Sequence, residues 1–126
     1  MDLVEKWKEV FSFLGSGERI SIMIVLHGSK YLRHTHYGSV DEGCLTFSQI
    51  LESTGIESDT RLSYHLSKLI GAGLVKKFPF KDKKGRVFPM YTIGEKWRSF
   101  ASELAIDKLI KDYIKEKYPD SFVEET

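Results

Sequence analysis

The stretch Arg61–Val75, RLSYHLSKLIGAGLV, decides how the rest of the chain is read. Leu62, Leu66 and Leu69 recur at helical spacing and make one apolar stripe. Arg61, Tyr64, His65 and Lys68 stand at i, i+3, i+4 and i+7, which gathers them on a neighbouring stripe. Ser58 suits an N-cap and Asp59 the positive end of the helix dipole, so the spacing predicts a helix over about 58–72, stopped by Gly73.

Working outward, the segment TFSQ (46–49) has the form of a capping box, with Thr46 facing forward and Gln49 reaching back. Ile50 and Leu51 supply its apolar side, and Gly55 stands where a helix ends in a left-handed residue. Only GIES separates this helix from the next, which predicts a helix-turn-helix. CLT (44–46) suits a short strand. After Gly73 the period changes. LVKKFPF and RVFPMYTI flank KDKKG, where Asp82 and Gly85 are turn residues, so a small hairpin is expected. Pro79 and Pro89 remove ladder donors and leave its edges open.

A helix that buries one face and shows cations and hydroxyls on the other fits a DNA major groove. Thr60, Arg61 and Tyr64, near the helix start, are expected to reach deepest, with Lys68 on the backbone. At the hairpin tip Lys81, Lys83, Lys84 and Arg86 can each neutralise a phosphate. A basic tip one element after a helix-turn-helix is the arrangement of a winged helix, whose wing orients the protein rather than reading sequence. Charge agrees. Residues 58–98 hold ten lysines and arginines against three acids, a net of +7 within a chain of net charge +1, so the flanks are acidic.

The run Ser63–Val75, SYHLSKLIGAGLV, resembles the S-x-H-L-x-x-L-x-x-A-G-L-V signature of ArsR-like winged-helix transcription regulators, and the upstream LTFSQILESTGIESDTRLSYHL looks like archaeal members of that group. The resemblance runs from about Glu18 into the C-terminal helix. It implies that the polar residues of the 58–68 helix meet DNA, which adds Ser63 and His65 to the candidates. It also implies dimerisation through terminal helices. The metal-sensing branch carries a cysteine pair at the start of the recognition helix, and ESDTRLS has none.

Around this centre, Leu3, Trp7, Val10, Phe11 and Leu14 predict an amphipathic helix over 2–14, ended by Gly15 and Gly17. A second helix is expected over about 18–27. Its centre, ISIMIVL, is apolar nearly all round and so buried, although its β-branched residues also suit a strand. Residues 28–43 read as an ordered loop. Trp97, Phe100, Ala101, Leu104, Leu109, Tyr113 and Ile114 predict one long helix over 94–118, and Pro119 opens a loose acidic tail to 126. The expected organisation is thus a dimerisation helix at 1–17, a winged helix-turn-helix at 18–93, a dimerisation helix at 94–118 and the tail. The fold class is mainly α with a small β-hairpin, α+β. The terminal helices either form a dimer seam or close the monomer's own core.

At 126 residues, 41% hydrophobic and 29% charged, the composition is that of a globular domain. A single cysteine, Cys44, excludes an intrachain disulfide, no apolar run is long enough to span a membrane, and the N-terminus has no signal-peptide core. A cytoplasmic protein is expected. His34-x-His36 with Cys44 is a thin basis for zinc, which wants four ligands, so no metal and no cofactor is expected. There is no nucleophile elbow, no phosphate-cradling glycine loop and no placed pair of acids, which argues against an enzyme. The expected partners are double-stranded DNA and a second copy of the chain. The rival readings are a winged-helix protein-interaction module without specific DNA binding, and a sensor using the 28–43 insert as its pocket.

Overall fold

The computed structural model describes residues 12, 14–32 and 43–123. The helix expected over 2–14, His34, His36 and residues 124–126 lie wholly or largely outside that range. Among the described residues the order is α1 (Gly17–Gly28), a short 3-10 turn (Ser29–Tyr31), β1 (Leu45–Thr46), α2 (Phe47–Thr54), α3 (Asp59–Gly71), β2 (Val75–Lys81), β3 (Val87–Ile93), α4 (Glu95–Glu103) and α5 (Ile106–Lys117). Among the described residues the architecture is α+β: five helices with a three-stranded antiparallel sheet in the order β1-β3-β2, a winged-helix-like fold.

α1 resolves the helix-or-strand ambiguity of ISIMIVL. Ser16 caps it, accepting from the Arg19 amide at 3.2 Å, and Ile22, Met23 and Leu26 are fully buried at the centre of the molecule. The capping box of α2 forms in both directions: Thr46 Oγ1 accepts from the Gln49 amide at 3.2 Å and Gln49 Oε1 from the Thr46 amide at 2.9 Å. Gly55 closes α2 at φ 71°, a left-handed value that glycine adopts without a Cβ penalty.

In the hairpin, Pro79 faces Pro89. Neither has an N–H to exchange, so they form a pair of the non-hydrogen-bonded kind and the ladder survives them. β1 covers β3 only at Met90 and Tyr91, so Pro89 lies beyond the three-stranded part.

The C-terminal segment departs from the expected single helix. It breaks at Ala105, which sits at φ 54° and ψ 33°. A left-handed alanine costs about 1–2 kcal/mol. The turn folds α5 back onto α1, where Ile110 and Ile114 are buried against Gly28. A Cβ on Gly28 would meet Ile114 Cγ1 at 2.7 Å, so the approach needs glycine. Trp97 and Phe100 on α4 close the same core, whereas Leu109 and Tyr113 on the outer side of α5 stay exposed. The tail also departs from expectation as far as it is described. Phe122 bridges Leu32 and stacks on Tyr31, and the Val123 amide donates to Tyr31 O at 2.7 Å.

A polar cluster ties these layers together. Trp97 Nε1 donates to His27 Nδ1 at 2.9 Å, which places the proton of the neutral imidazole on Nε2, 2.7 Å from Asp107 Oδ1. Asp107 also accepts from Tyr31 Oη at 2.6 Å and pairs with Lys30 at 2.7 Å. Burial holds the His27 pKa below its ordinary value. Burial works against the charge of Asp107, yet the hydrogen bonds from Lys30, Tyr31 and His27 prevail and hold its carboxyl well below the usual range.

Candidate nucleic-acid interface

α3 is built as the sequence foretells. Ser58 Oγ accepts from the Arg61 amide at 3.1 Å, and Leu62, Leu66 and Leu69 anchor the helix by one side. Gly73, at φ 78°, turns the chain into β2. The other side is open: Asp59, Thr60, Arg61, Ser63, Tyr64, Ser67 and Lys68 are exposed. Thr60, Ser63, Tyr64 and Ser67 line a shallow groove with Asp59 and Phe47. Its walls therefore offer hydroxyls that both donate and accept.

His65 is a correction. It does not stand outward with Arg61 and Tyr64 but is 9% exposed. At about 100° per residue it lies midway between Arg61 and Leu69, on the border of the apolar stripe. The start of α1 covers that border. His65 Nδ1 accepts from Arg19 Nε at 3.0 Å, and its Nε2 faces Glu18 Oε1 at 3.6 Å. His65 thus joins α3 to α1 instead of presenting itself to a ligand.

Tyr64 is the most exposed aromatic side chain of this helix, with Arg19 at 5.9 Å and Lys68 at 5.6 Å from its ring centre. Both distances suit cation–π attraction. Arg19 therefore adds a cation to the cluster on α3. Sequence reading missed Arg19 and Glu18, because 46 positions separate Arg19 from His65 and no local pattern links them.

At the wing tip the turn is organised by Asp82. Its Oδ1 accepts from the amides of Lys84 and Arg86, each at 2.9 Å, and its Oδ2 from Arg86 Nε at 2.7 Å. These bonds, from Arg86 above all, hold its pKa below the ordinary value against the opposing effect of burial. Lys81, Lys83, Lys84 and Arg86 are all exposed, with Gly85 at φ 82° completing the turn. Arg86 is thereby shared between a structural bond and solvent, whereas Lys83 and Lys84 present their ammonium groups from the tip. The stalk of the wing carries exposed Val87 and half-buried Phe78, Phe80 and Phe88.

Cys44 is buried. Among the described residues no group of three or more His, Cys, Asp or Glu side chains is placed to hold a metal ion, and no helix is long and apolar enough to cross a membrane.

No curated protein matches the chain. Among solved structures, the crystal structure of the diamide-treated YodB from B. subtilis is similar, at a TM-score of 0.56 and 20% sequence identity, covering 88% of this chain and 90% of that one. At that identity the likeness concerns the fold. A family model described as a domain of unknown function, DUF7347, matches residues 7–82, from the N-terminal segment through the helix-turn-helix to the wing tip, and the chain belongs to that family.

Proposed function

We propose that the protein is a sequence-specific, double-stranded DNA-binding transcription regulator of the ArsR-like kind, in its archaeal form, acting in the cytoplasm as a homodimer. The observation that carries this reading is the exposed row of α3, whose other side is anchored in the core, together with the cationic tip of the wing. Thr60, Arg61, Ser63 and Tyr64 read base edges in the major groove. His65 supports them from beneath. Lys68, Lys83, Lys84 and Arg86 hold phosphates, which adds affinity without reading sequence. The exposed Leu109 and Tyr113 on α5 supply apolar area for a symmetric partner. Two copies then set their α3 helices about 34 Å apart, one turn of the duplex.

Selection of bound sequences from random duplex DNA tests the reading. An enriched inverted repeat is expected, and failure to enrich any sequence overturns it. The apolar stalk of the wing, with Val87 exposed beside Phe78 and Phe88, favours a second reading as a protein-interaction module. Titration with random duplex at low and moderate salt separates the two, since a module of that kind shows no salt-sensitive DNA binding.

A further inference from the structure

Arg61 does not extend freely into solvent. Its Nη2 donates to Glu18 Oε1 at 2.6 Å, across from α3 to the first turn of α1. The two partners are unequally exposed, with side-chain values of 55% for Arg61 and 29% for Glu18. Glu18 is the fixed member. It stands at the positive end of the α1 dipole, and the Nε2 of His65 faces its Oε1 at 3.6 Å. Because His65 Nδ1 accepts from Arg19, the proton of a neutral ring lies on Nε2, toward that carboxylate. A row of four side chains, Arg19, His65, Glu18 and Arg61, therefore runs from the seam between α1 and α3 out to the exposed face.

A guanidinium has five donors, and Glu18 engages one of its terminal nitrogens. The rest remain for another acceptor pair. Bidentate pairing with guanine O6 and N7 demands a set orientation of the guanidinium plane, and a side chain already held loses fewer rotamers on binding. Glu18 also places a negative charge beside the surface that a polyanion would approach, which weakens binding to every sequence alike.

We propose that Glu18 is a positioning residue for base reading: it holds Arg61 so that the guanidinium is presented to a guanine, and it trades general affinity for discrimination. The inference rests on the reading of α3 as the DNA-facing helix. It predicts opposite effects on two measurable quantities, which a merely structural role does not.

The test measures Kd for the selected duplex, for the same duplex with the contacted guanine replaced, and for random duplex. The proteins are the wild type, Glu18→Gln, Glu18→Asp, Arg61→Ala and the Arg61→Ala/Glu18→Gln double variant. Glu18→Gln is expected to lower the discrimination ratio about fivefold or more while binding random duplex as tightly or more tightly. Glu18→Asp, one methylene too short to reach, is expected to lose the same discrimination but keep the weaker wild-type affinity for random duplex. In the Arg61→Ala background, Glu18→Gln should leave the ratio unchanged. An unchanged ratio in Glu18→Gln, where Arg61→Ala loses it, overturns the inference while leaving the DNA reading intact. An equal loss with and without Arg61 also overturns it. Absence of salt-sensitive duplex binding by the wild type sinks the DNA reading and the inference together. If Glu18→Gln does not fold, side-chain NMR of the wild type decides. Slow rotation of the Arg61 guanidinium in the free protein and in the complex supports the inference, and fast rotation overturns it.

Discussion

Two histidine–carboxylate pairs sit at opposite ends of α1, and they differ in what surrounds them. At the C-terminal end His27 takes a hydrogen bond from Trp97 on one nitrogen and faces Asp107 at 2.7 Å with the other. At the N-terminal end His65 takes one from Arg19 and faces Glu18 at 3.6 Å. The ring chemistry is the same. The first pair, however, joins α1, the 3-10 turn, α4 and α5 through Trp97, Lys30 and Tyr31, all within hydrogen-bond distance. The second shares its carboxylate with an arginine on the surface. In the first site His27 and Trp97 are buried, although the Asp107 side chain is 45% exposed, and their hydrogen bond acts as a staple, because removing either one leaves a desolvated partner. A network whose outer member reaches solvent can exchange that member for a ligand. The comparison predicts that damage at the first site is read in stability and damage at the second in binding.

The largest expected effect tests the staple. His27→Ala leaves Trp97 Nε1 without its acceptor and opens a cavity, and should destabilise the fold by about 2–4 kcal/mol in denaturant unfolding. A loss no greater than that of an exposed substitution would erase the contrast. Arg61→Ala comes next. It should cost about 1–3 kcal/mol in discrimination between duplexes while shifting unfolding free energy by less than about 0.5 kcal/mol. A large stability loss there would make the outer pair a staple too.

A third measurement sharpens the difference through pH. The unfolded chain protonates His27 below about pH 6.5, whereas the folded chain resists until lower pH. The unfolded state thus binds more protons in that window, and stability should fall as pH drops below about 6.5, by at most about 1.4 kcal/mol per unit from this group. A second decline belongs to Asp107, whose folded value is depressed, as pH falls through and below the ordinary carboxylate range. His27→Gln should flatten the first decline and leave the second. The smallest expected effect is at the wing: Lys84→Ala should reduce the salt dependence of duplex binding by about 0.9 in logarithmic slope, equally for all sequences. A sequence-dependent change would move Lys84 among the base-reading residues.

These two sites were not equally legible. α3 was readable from its own residues, because Ser58, the leucine stripe and Gly73 lie within one helix and act through neighbours. The capping box of α2 was readable for the same reason. The break at Ala105 was not. No glycine or proline marks it, and the contact that accompanies it, Ile114 against Gly28, is made with a helix far away in the chain. His65 was misplaced for a related reason. A border position on a helix is assigned by what packs over it, and here that is Glu18 and Arg19 from a distant segment. The tail looked loose because its acids masked Phe122, whose partner Tyr31 is 91 positions away.

The sequence by itself determined α2, α3 and the wing with the caps of the two helices, the outward stripe of Arg61, Tyr64 and Lys68, and the cationic turn at Lys83–Arg86. Those features depend on spacing, capping and turn chemistry within a few residues. Only the tertiary structure decided that α5 folds back on α1, that His65 is sealed beneath the exposed face, and that Glu18 holds Arg61. Each of these is a contact between segments far apart in the chain, and its free energy exists only once the apolar core has brought them together.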